Sequence, residues 1–321
     1  SLEMIRALLD ADAVDDGLAE FLLQKSEGVP FFVEEFTRSL LDSGSVSRTS
    51  GQCLLKRDFV ATATPGTVHD VVMARVDRLP ENARETLQLA SVIGREFSWL
   101  LIKAATGLQD TDLLPRISHL KEHELVFERG IFPQVSYIFQ HTITPDLAYD
   151  SLLEATRKVH HIAIAKAVER LHADRIDEHA SYLALHYTRG GDARTACRYH
   201  RVAGDRARSS YSNREAMTHY QEAWRLLGAE VETAETTRMR LETAALLSTV
   251  MEPLGEFEAT TVILREVLAA GSNGGDPRYA RVQYWMGNNF GNLGRYDDAR
   301  HHLQRSIELA RQGDDIETQG D

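Results

Sequence analysis

The spacing of apolar side chains predicts that most of this 321-residue chain is helical. Apolar residues recur every three or four positions over long stretches, which is the period of a helix with one buried face. In the first half the predicted helices cover about 2–9, 16–25, 67–79, 81–92, 97–105, 110–123 and 144–171, with one more after residue 29. Two short alternating runs, LVFER and VSYIFQ, flank a turn with glycine and proline and predict a β-hairpin. We therefore expect a mainly α fold.

The segment EGVPFFVEEF, residues 27–36, has the features of a helix start. Pro30 fits the first helical position, where its missing N–H costs nothing, and the two acids in the opening turn suit the helix dipole. One buried stripe is predicted by apolar residues at a spacing of four, namely Phe32, Phe36 and Leu40. Gly44 is a suitable stop. The polar stretch that follows, SGSVSRTSGQCLLKRD, is predicted to be a loop or a small hairpin.

Three helices followed by a two-stranded hairpin describe a winged helix, and one long helix over about 144–171 is expected to follow it. Winged helices often contact DNA through the third helix. Here that segment reads DTDLLPRISHLKEHELV, with acids mixed among few bases. The sequence therefore gives little support to DNA binding by this unit.

From residue 172 onward the chain contains an internal repeat. LGRYDDARHHLQRSIELA at 293–310 aligns with LGEFEATTVILREVLAAG at 254–271, with an offset of 39 residues throughout. Weaker copies lie at 212–229 and 191–207. The spacing of small and large residues is similar to the second helix of tetratricopeptide (TPR) repeats. Such repeats stack into an α-solenoid, so we expect a protein or peptide partner on its concave face and further repeats after Asp321.

The charge balance narrows the choice of partners. Thirty-six Lys and Arg against 48 Asp and Glu give a net charge of −12. Such a charge repels phosphate backbones and anionic membranes, so neither nucleic acid nor a membrane is expected as a partner. No apolar run approaches the roughly 20 residues that span a bilayer. The two cysteines, Cys53 and Cys197, lack the spacing of a disulfide framework or a zinc site, which fits a cytoplasmic protein.

The order of these units resembles the lid, winged-helix and repeat portion of STAND-type (AAA-like) signal-transduction ATPases. The resemblance rests on GVPFFVEEF, on LQLASVIGREFSWLLI and on FQHTITPDLAYDSLL, and it covers nearly the whole chain. It is strongest to bacterial regulators in which such an ATPase module follows a class III adenylate cyclase domain. It implies a helical lid over residues 1–66, a winged-helix domain over 67–171 and a TPR-like repeat domain over 172–321. The chain opens in mid-pattern, so we expect it to be a piece of a longer protein.

The resemblance also implies three nucleotide contacts. In related NB-ARC proteins a Gly-x-Pro turn of the lid packs on adenine, and Gly28 and Pro30 match that turn. A histidine of a Met-His-Asp motif reaches the β-phosphate of ADP there, and His141 matches it, although Thr142 stands where the motif has Asp. Alternatively, both residues have structural roles only and do not contact a nucleotide. Pro30 suits a helix start, and His141 lies at the junction between the wing and the next helix, where it would cap or pack.

The sequence contains no GxxxxGK[ST] phosphate loop, and no strand-terminal acidic pair for Mg²⁺ is apparent. We therefore expect no catalytic residues and no cofactor in these 321 residues. In the parent protein, ATP or ADP with Mg²⁺ is expected to bind to a P-loop core. The lid and winged helix are expected to contact that core. HLKEH at 119–123 matches a zinc-peptidase signature, but it lies on a helix with an apolar face and is predicted to hold two solvated histidines.

Two function classes follow from the sequence. The favoured one is the regulatory and protein-interaction portion of a STAND-type ATPase, which couples the nucleotide state of the core to partner binding. The resemblance implies a class III adenylate cyclase as the effector that it controls. The alternative is a winged-helix transcription regulator with a TPR sensor domain. A basic surface on the third helix would favour the second class.

Overall fold

The structure is a computed structural model that describes residues 2–11, 13–26, 30–42, 44–49, 52–56, 68–131, 134–270 and 276–317. The chain forms two compact units, Ser1–Ile164 and Ala165–Asp321. The first unit holds both the predicted lid and the predicted winged helix, so the finer divisions at residues 66 and 171 remain predictions.

The lid is built from three helices and a small sheet: α1 (Leu2–Leu9), α2 (Asp16–Ser26), α3 (Pro30–Asp42), β1 (Ala13–Val14), β2 (Val46–Thr49) and β3 (Gln52–Leu55). Pro30 begins α3, and Phe36 and Leu40 are buried in the lid core, which confirms the predicted start and stripe. The polar stretch after Gly44 forms a hairpin, since β2 and β3 pair antiparallel. The pattern did not predict β1, which pairs parallel with β3.

The predicted domain over 67–171 begins with α4 (Val68–Asp77), which precedes the winged helix itself. The three helices of the winged helix are α5 (Glu81–Ile93), α6 (Trp99–Thr106) and α7 (Asp110–Glu122), and it has one more strand than predicted: β4 (Glu96–Ser98), β5 (Val126–Arg129) and β6 (Ser136–Phe139). The sheet order is β4-β6-β5, and both pairings are antiparallel. The predicted hairpin is β5 and β6. Strand β4 occupies the segment where the sequence predicted the start of a helix. It places Phe97 against Tyr137 and Phe139 in the core under the sheet.

The prediction of one long helix over 144–171 is wrong, because the chain divides there into α8 (Ile143–Asp150) and α9 (Glu154–Leu171). The Tyr149 hydroxyl lies 3.1 Å from Nε2 of His161. Twelve residues of straight helix would separate the two by about 18 Å. The bend lets this contact form and buries Leu152, whereas Leu153 remains exposed.

The repeat domain is helical throughout its described residues. Its elements are a 3₁₀ segment (Ala173–His179), α10 (Ala180–Gly190), α11 (Ala193–Ser209), α12 (Asn213–Gly228), α13 (Ala234–Met251), a 3₁₀ segment (Glu252–Leu254), α14 (Phe257–Ala270), α15 (Pro277–Asn292) and α16 (Tyr296–Glu317). The last six helices form three hairpins, α11 with α12, α13 with α14 and α15 with α16. Adjacent helices pack together, as in an α-solenoid.

The three hairpins repeat the same turn. Tyr211, Gly255 and Gly294 occupy equivalent positions, and all three have positive φ, of 60°, 75° and 74°. In each turn the N–H of the following residue donates to a carbonyl five residues earlier, as in the bond from Ser212 to Ala207. This is the Schellman motif, in which the left-handed residue closes the end of a helix.

Candidate functional site

Glu35, on the lid helix α3, is a buried carboxylate with only 1% of its side chain exposed. It lies next to Phe36 of the apolar stripe of α3 and contacts Arg75 of the neighbouring helix α4. Burying a carboxylate is unfavourable unless a partner compensates the lost hydration. The partners of Glu35 therefore define what holds the lid in this arrangement.

Arg75 on α4 supplies the main compensation. Its Nη1 donates to Glu35 Oε1 at 2.5 Å. Its Nη2 donates to the backbone carbonyl of His123, just after the end of α7. A single guanidinium thus joins α3, α4 and the third helix of the winged helix, and its fixed fork of donors suits this double contact.

Glu124 adds a second acid to this cluster from the end of α7. Its φ of 51° lies in the left-handed region, and the following residue, Leu125, donates back to the Leu120 carbonyl, so Glu124 closes α7 in the same way that a glycine would. Its carboxylate forms an ion pair with Arg38 of α3 and lies 3.9 Å from Arg75. The backbone turn therefore directs an acid towards the lid.

His141, between β6 and α8, also approaches Glu35. Its Nε2 is 3.7 Å from Glu35 Oε1, which is ion-pair range but too long for a hydrogen bond. Burial lowers the pKa of His141 below its ordinary value, and the nearby carboxylates of Glu35 and Glu34 oppose that change. The arginines Arg75 and Arg38 lower the pKa further. His141 is therefore mainly neutral near pH 7 in this arrangement.

We call these five residues, Glu35, Arg38, Arg75, Glu124 and His141, the joint cluster. A cavity of about 260 Å³ opens beside it, and every member except His141 lines this cavity. The second carboxylate oxygen of Glu35, Oε2, has no hydrogen-bond donor among the described residues. One buried acceptor in the cluster thus remains available for a further donor.

The predicted nucleotide contacts have different outcomes. Gly28 lies outside the described residues. Pro30 is exposed at the first position of α3. His141 is brought next to Glu35 of that same helix, and its backbone carbonyl also accepts the N–H of Thr144 at the start of α8. The sequence did not identify Glu35 and Arg75 as residues of this site. The available signal was the position of an acid, Glu35, beside the apolar stripe of α3.

The HLKEH segment has structural contacts. Nδ1 of His123 lies 2.9 Å from the His119 carbonyl of the same helix, and Nδ1 of His119 lies 3.4 Å from Glu122. Across the described ranges there is no group of three or more His, Cys, Asp or Glu side chains arranged to hold a metal ion. In the same ranges no helix has both the length and the apolar character to cross a membrane.

In the repeat domain, acids and arginines alternate across α11, α13 and α15. Glu242 of α13 forms an ion pair with Arg201 of α11, 2.9 Å away, and accepts a hydrogen bond from Arg278 of α15 at 2.9 Å. Arg194 and Glu235 form a third pair across α11 and α13, 3.4 Å apart. A cavity of about 470 Å³ lies between α11 and α13 along this ladder. Arginines and acids of neighbouring helices therefore alternate along the walls of this cavity.

No family model and no curated protein matches this sequence. Among solved structures, the chain is similar to a crystal structure of a Signal Transduction ATPase with Numerous Domains (STAND) protein with a tetratricopeptide repeat sensor from Pyrococcus horikoshii, with a TM-score of 0.53 and 11% sequence identity. The similarity covers 97% of this chain and 40% of that one, so this chain spans less than half of the length of its structural relative. At this identity the likeness establishes the fold alone. The chain thus has the mainly helical fold found in part of a STAND protein.

Proposed function

We propose that this chain is the regulatory and protein-interaction portion of a STAND-type signalling ATPase. In this proposal the lid and winged helix respond to the nucleotide state of an ATPase core, and the repeats bind a partner protein.

The observation that carries the proposal is what we call the Arg75 bridge: one guanidinium donates both to the buried Glu35 of the lid and to the backbone carbonyl of His123. The similarity of fold to a STAND protein supports it.

The bridge is suited to a two-state element. If α3 separates from α4, Glu35 loses Arg75 and has to become hydrated, so intermediate positions that keep the carboxylate buried and unpaired are unfavourable. Two packed arrangements are therefore favoured over a continuous range of positions. A coupling of about 1–3 kcal/mol between such states changes a binding constant by roughly five- to 150-fold.

The residues of this chain fit a nucleotide only in part. Pro30 is exposed and presents a flat apolar ring, which suits contact with a purine. His141, in contrast, has the Glu35 carboxylate 3.7 Å away, and a carboxylate repels phosphate. Arg38 and Arg75 already contact acids. A phosphate contact by His141 is therefore a prediction that depends on residues of an ATPase core.

The described contacts of α7 favour this proposal over DNA reading. Arg116 donates to the Asn82 carbonyl and lies 3.6 Å from Glu85, and Lys121 contacts Glu128 at 2.5 Å. These bases of the third helix are thus already next to acids or carbonyls, whereas a DNA-reading helix presents its bases to phosphates. A class III adenylate cyclase is the effector that the sequence resemblance implies, and it is part of this proposal on that ground alone.

The first test uses this chain alone. We expect calorimetric titration with ADP, and with ATP and Mg²⁺, to show no binding at micromolar concentration, and a phosphate-release assay to show no turnover. ATP hydrolysis by the purified chain that is lost in His141→Ala would contradict the proposal, because the chain would then contain a catalytic centre.

The second test uses the chain expressed with the sequence that precedes it in its gene. Glu35→Gln is compared with Glu34→Gln, a matched variant on the same helix whose acid forms an ion pair with Arg38, 2.8 Å away. We expect Glu35→Gln to change ADP affinity or ATP turnover at least fivefold, as allosteric couplings commonly do, and Glu34→Gln to change it little. Equal effects of the two variants would rule out the Arg75 bridge as the coupling element.

A further inference from the structure

The first helices of the three hairpins, α11, α13 and α15, can be aligned residue by residue. In each hairpin a small residue of the first helix stands sixteen positions before a large residue of the second: Gly204 and Tyr220, Ser248 and Leu264, Gly287 and Leu303. A Cβ at Gly204 would meet Tyr220, and one at Gly287 would meet Leu303, so the structure shows this contact in two of the hairpins. Positions counted from the small residue are therefore equivalent in the three helices.

Arginine recurs at two of these equivalent positions. Ten residues before the small residue lie Arg194 in α11 and Arg238 in α13. Six residues before it lie Arg198 in α11 and Arg281 in α15, with Glu242 at this position in α13. All four arginines are exposed. Because the two positions are four residues apart, they lie on one face of each helix.

The cavity of about 470 Å³ between α11 and α13 contains most of these arginines. Arg194, Arg198 and Arg201 line it from α11, and Arg238 lines it from α13. We call this cavity, with its four arginines, the arginine groove. Its three acids already contact an arginine or a tyrosine hydroxyl of the repeat domain, and they are Asp205, Glu235 and Glu242. The groove is therefore locally basic in a chain with a net charge of −12.

Several donors of the arginine groove have no acceptor. Arg238 has no hydrogen bond or ion pair with any described residue. Nε of Arg201 is buried and also has no acceptor among the described residues. Arg194 and Arg198 are 55% and 63% exposed, and their ion pairs, at 3.4 Å and 3.8 Å, are longer than a typical hydrogen bond. Guanidinium N–H groups are thus available to a further acceptor.

We propose that the arginine groove binds an acidic peptide segment of a partner protein, whose carboxylates accept hydrogen bonds from Arg194, Arg198 and Arg238. A planar guanidinium suits this role because it can donate two parallel N–H groups to one carboxylate. Complementary charge selects acidic partners and excludes basic ones. The inference rests on the proposed partner binding by the repeats and names the chemistry of that partner, but it does not depend on nucleotide coupling.

The acids of the groove favour a peptide over a nucleic acid. Glu235 and Glu242 lie three residues before and four residues after Arg238, so they occupy the same face of α13. A nucleic acid carries a negative charge at every phosphate and would bring some of these charges close to the two acids. A peptide can place a neutral or basic side chain opposite each of them instead.

The test uses the purified chain and a designed acidic peptide as the probe. A dye-labelled peptide of alternating glutamate and alanine, blocked at both ends, is titrated with the chain at low salt and followed by fluorescence anisotropy. We expect saturable binding that weakens as salt is added, because salt screens exposed charges. The matched control peptide has glutamine at every glutamate and should bind at least about tenfold more weakly. Tighter binding of a single-stranded oligonucleotide than of the acidic peptide would overturn the proposal.

Variants of the chain locate the site. Arg194→Ala combined with Arg238→Ala should weaken binding of the acidic peptide by about tenfold, since two exposed charge contacts are lost. The matched control combines Arg214→Ala with Arg225→Ala, which changes the net charge equally at two exposed positions of α12 outside the groove. It should change the affinity little.

Equal weakening by the two double variants would overturn the proposal, because attraction would then depend on total charge alone. Absence of saturable binding to the unmodified chain would overturn it as well. Neither result bears on the comparison of Glu35→Gln with Glu34→Gln, so this inference and the proposed nucleotide coupling can fail separately.

Discussion

The ring of Tyr220 lies against the backbone of Gly204, so closely that a methyl group on Gly204 would come within 2.4 Å of it. Tyr220 is fully buried, and its hydroxyl donates to the Asp205 carboxylate at 2.6 Å. The ring therefore has little freedom to move aside. We expect Gly204→Ala to lower the free energy of unfolding by about 1–3 kcal/mol, the usual cost of overpacking a core, as measured by urea denaturation.

Gly228→Ala is the matched control for this variant. Gly228 lies at the end of α12, and a Cβ there would meet no atom within 4 Å. Alanine also has the higher helix propensity, so this variant should be neutral or stabilise the chain by a few tenths of a kcal/mol. If both variants lower the free energy of unfolding equally, the contact with Tyr220 is not the reason that Gly204 is needed.

Replacing Tyr211 by glycine should stabilise the repeat domain. Tyr211 has φ of 60° and is 92% exposed, and the equivalent turns contain Gly255 and Gly294. The left-handed conformation costs a residue with a Cβ roughly 1–2 kcal/mol, part of which the greater flexibility of unfolded glycine offsets. We expect a gain of about 1 kcal/mol in the free energy of unfolding. Tyr211→Ala keeps the Cβ and should show no such gain, so equal behaviour of the two variants would exclude backbone strain as the cause.

Removing Arg75 should destabilise the first unit strongly. Arg75→Ala leaves Glu35 buried without its main partner, and such losses typically cost about 3–5 kcal/mol. The double variant Arg75→Met with Glu35→Leu replaces the pair by apolar side chains and should recover most of that loss. Thermal and urea denaturation measure both effects.

Arg84→Ala is the control for the Arg75 variant. Arg84 lies 3.7 Å from Asp77, and both side chains are exposed, so this surface ion pair should contribute less than about 1 kcal/mol. The double variant Arg75→Met with Glu35→Leu is then compared with Arg75→Ala. If the double variant is no more stable, Arg75 stabilises the fold through a contact other than Glu35.

Two histidines in the repeat domain make its stability depend on pH. Nδ1 of His200 lies 3.1 Å from Nδ1 of His219, and their Nε2 atoms lie 3.2 Å from the hydroxyls of Thr188 and Ser181 respectively. Two adjacent Nδ1 atoms need one proton between them, so the pair cannot bind two further protons and keep this contact. Burial, and after it the neighbouring His219, lowers the pKa of His200 to about 4.

Because the unfolded chain protonates His200 near its ordinary pKa of about 6.5, it binds more protons than the folded chain between that pH and pH 4. The free energy of unfolding should therefore fall as the pH falls through this window, by on the order of 1–2 kcal/mol between pH 7 and pH 5. His200→Asn should reduce this dependence, and the part that remains comes from other histidines with lowered pKa values, such as His141. His301→Asn, at an exposed position of α16, should change it much less than His200→Asn does, since His301 acts only as a secondary cause of the lowered pKa of His302. A flat profile for the unmodified chain would refute the assignment.

The elements that depend on local sequence were predictable. Pro30 begins α3 and the Phe36 and Leu40 stripe lies in the lid core, because both features follow from helix geometry within a dozen residues. The 39-residue repeat likewise predicted equivalent hairpins. Strand β1 was not predictable, since two residues carry no alternation and pair only with a strand at Gln52–Leu55.

The joint cluster depended on tertiary contacts that the sequence does not show. Forty residues separate Glu35 from Arg75, and more than a hundred separate Glu35 from His141. The sequence resemblance pointed to Pro30 and His141. It gave no reason to expect that the Glu35 carboxylate, on the helix that Pro30 begins, would lie next to His141. The bend between α8 and α9 was missed for a similar reason, because Tyr149 and His161 contact each other only once the chain has turned.

The fixed spacing between each glycine or serine and its large partner also bears on how the repeat domain folds. The pairs from Gly204 to Tyr220 and from Gly287 to Leu303 close loops of only sixteen residues. Short loops lose little entropy on closure, and proteins with mostly local contacts fold rapidly. Each hairpin is therefore a possible nucleus, and a growing polypeptide can complete one hairpin before the next is synthesised.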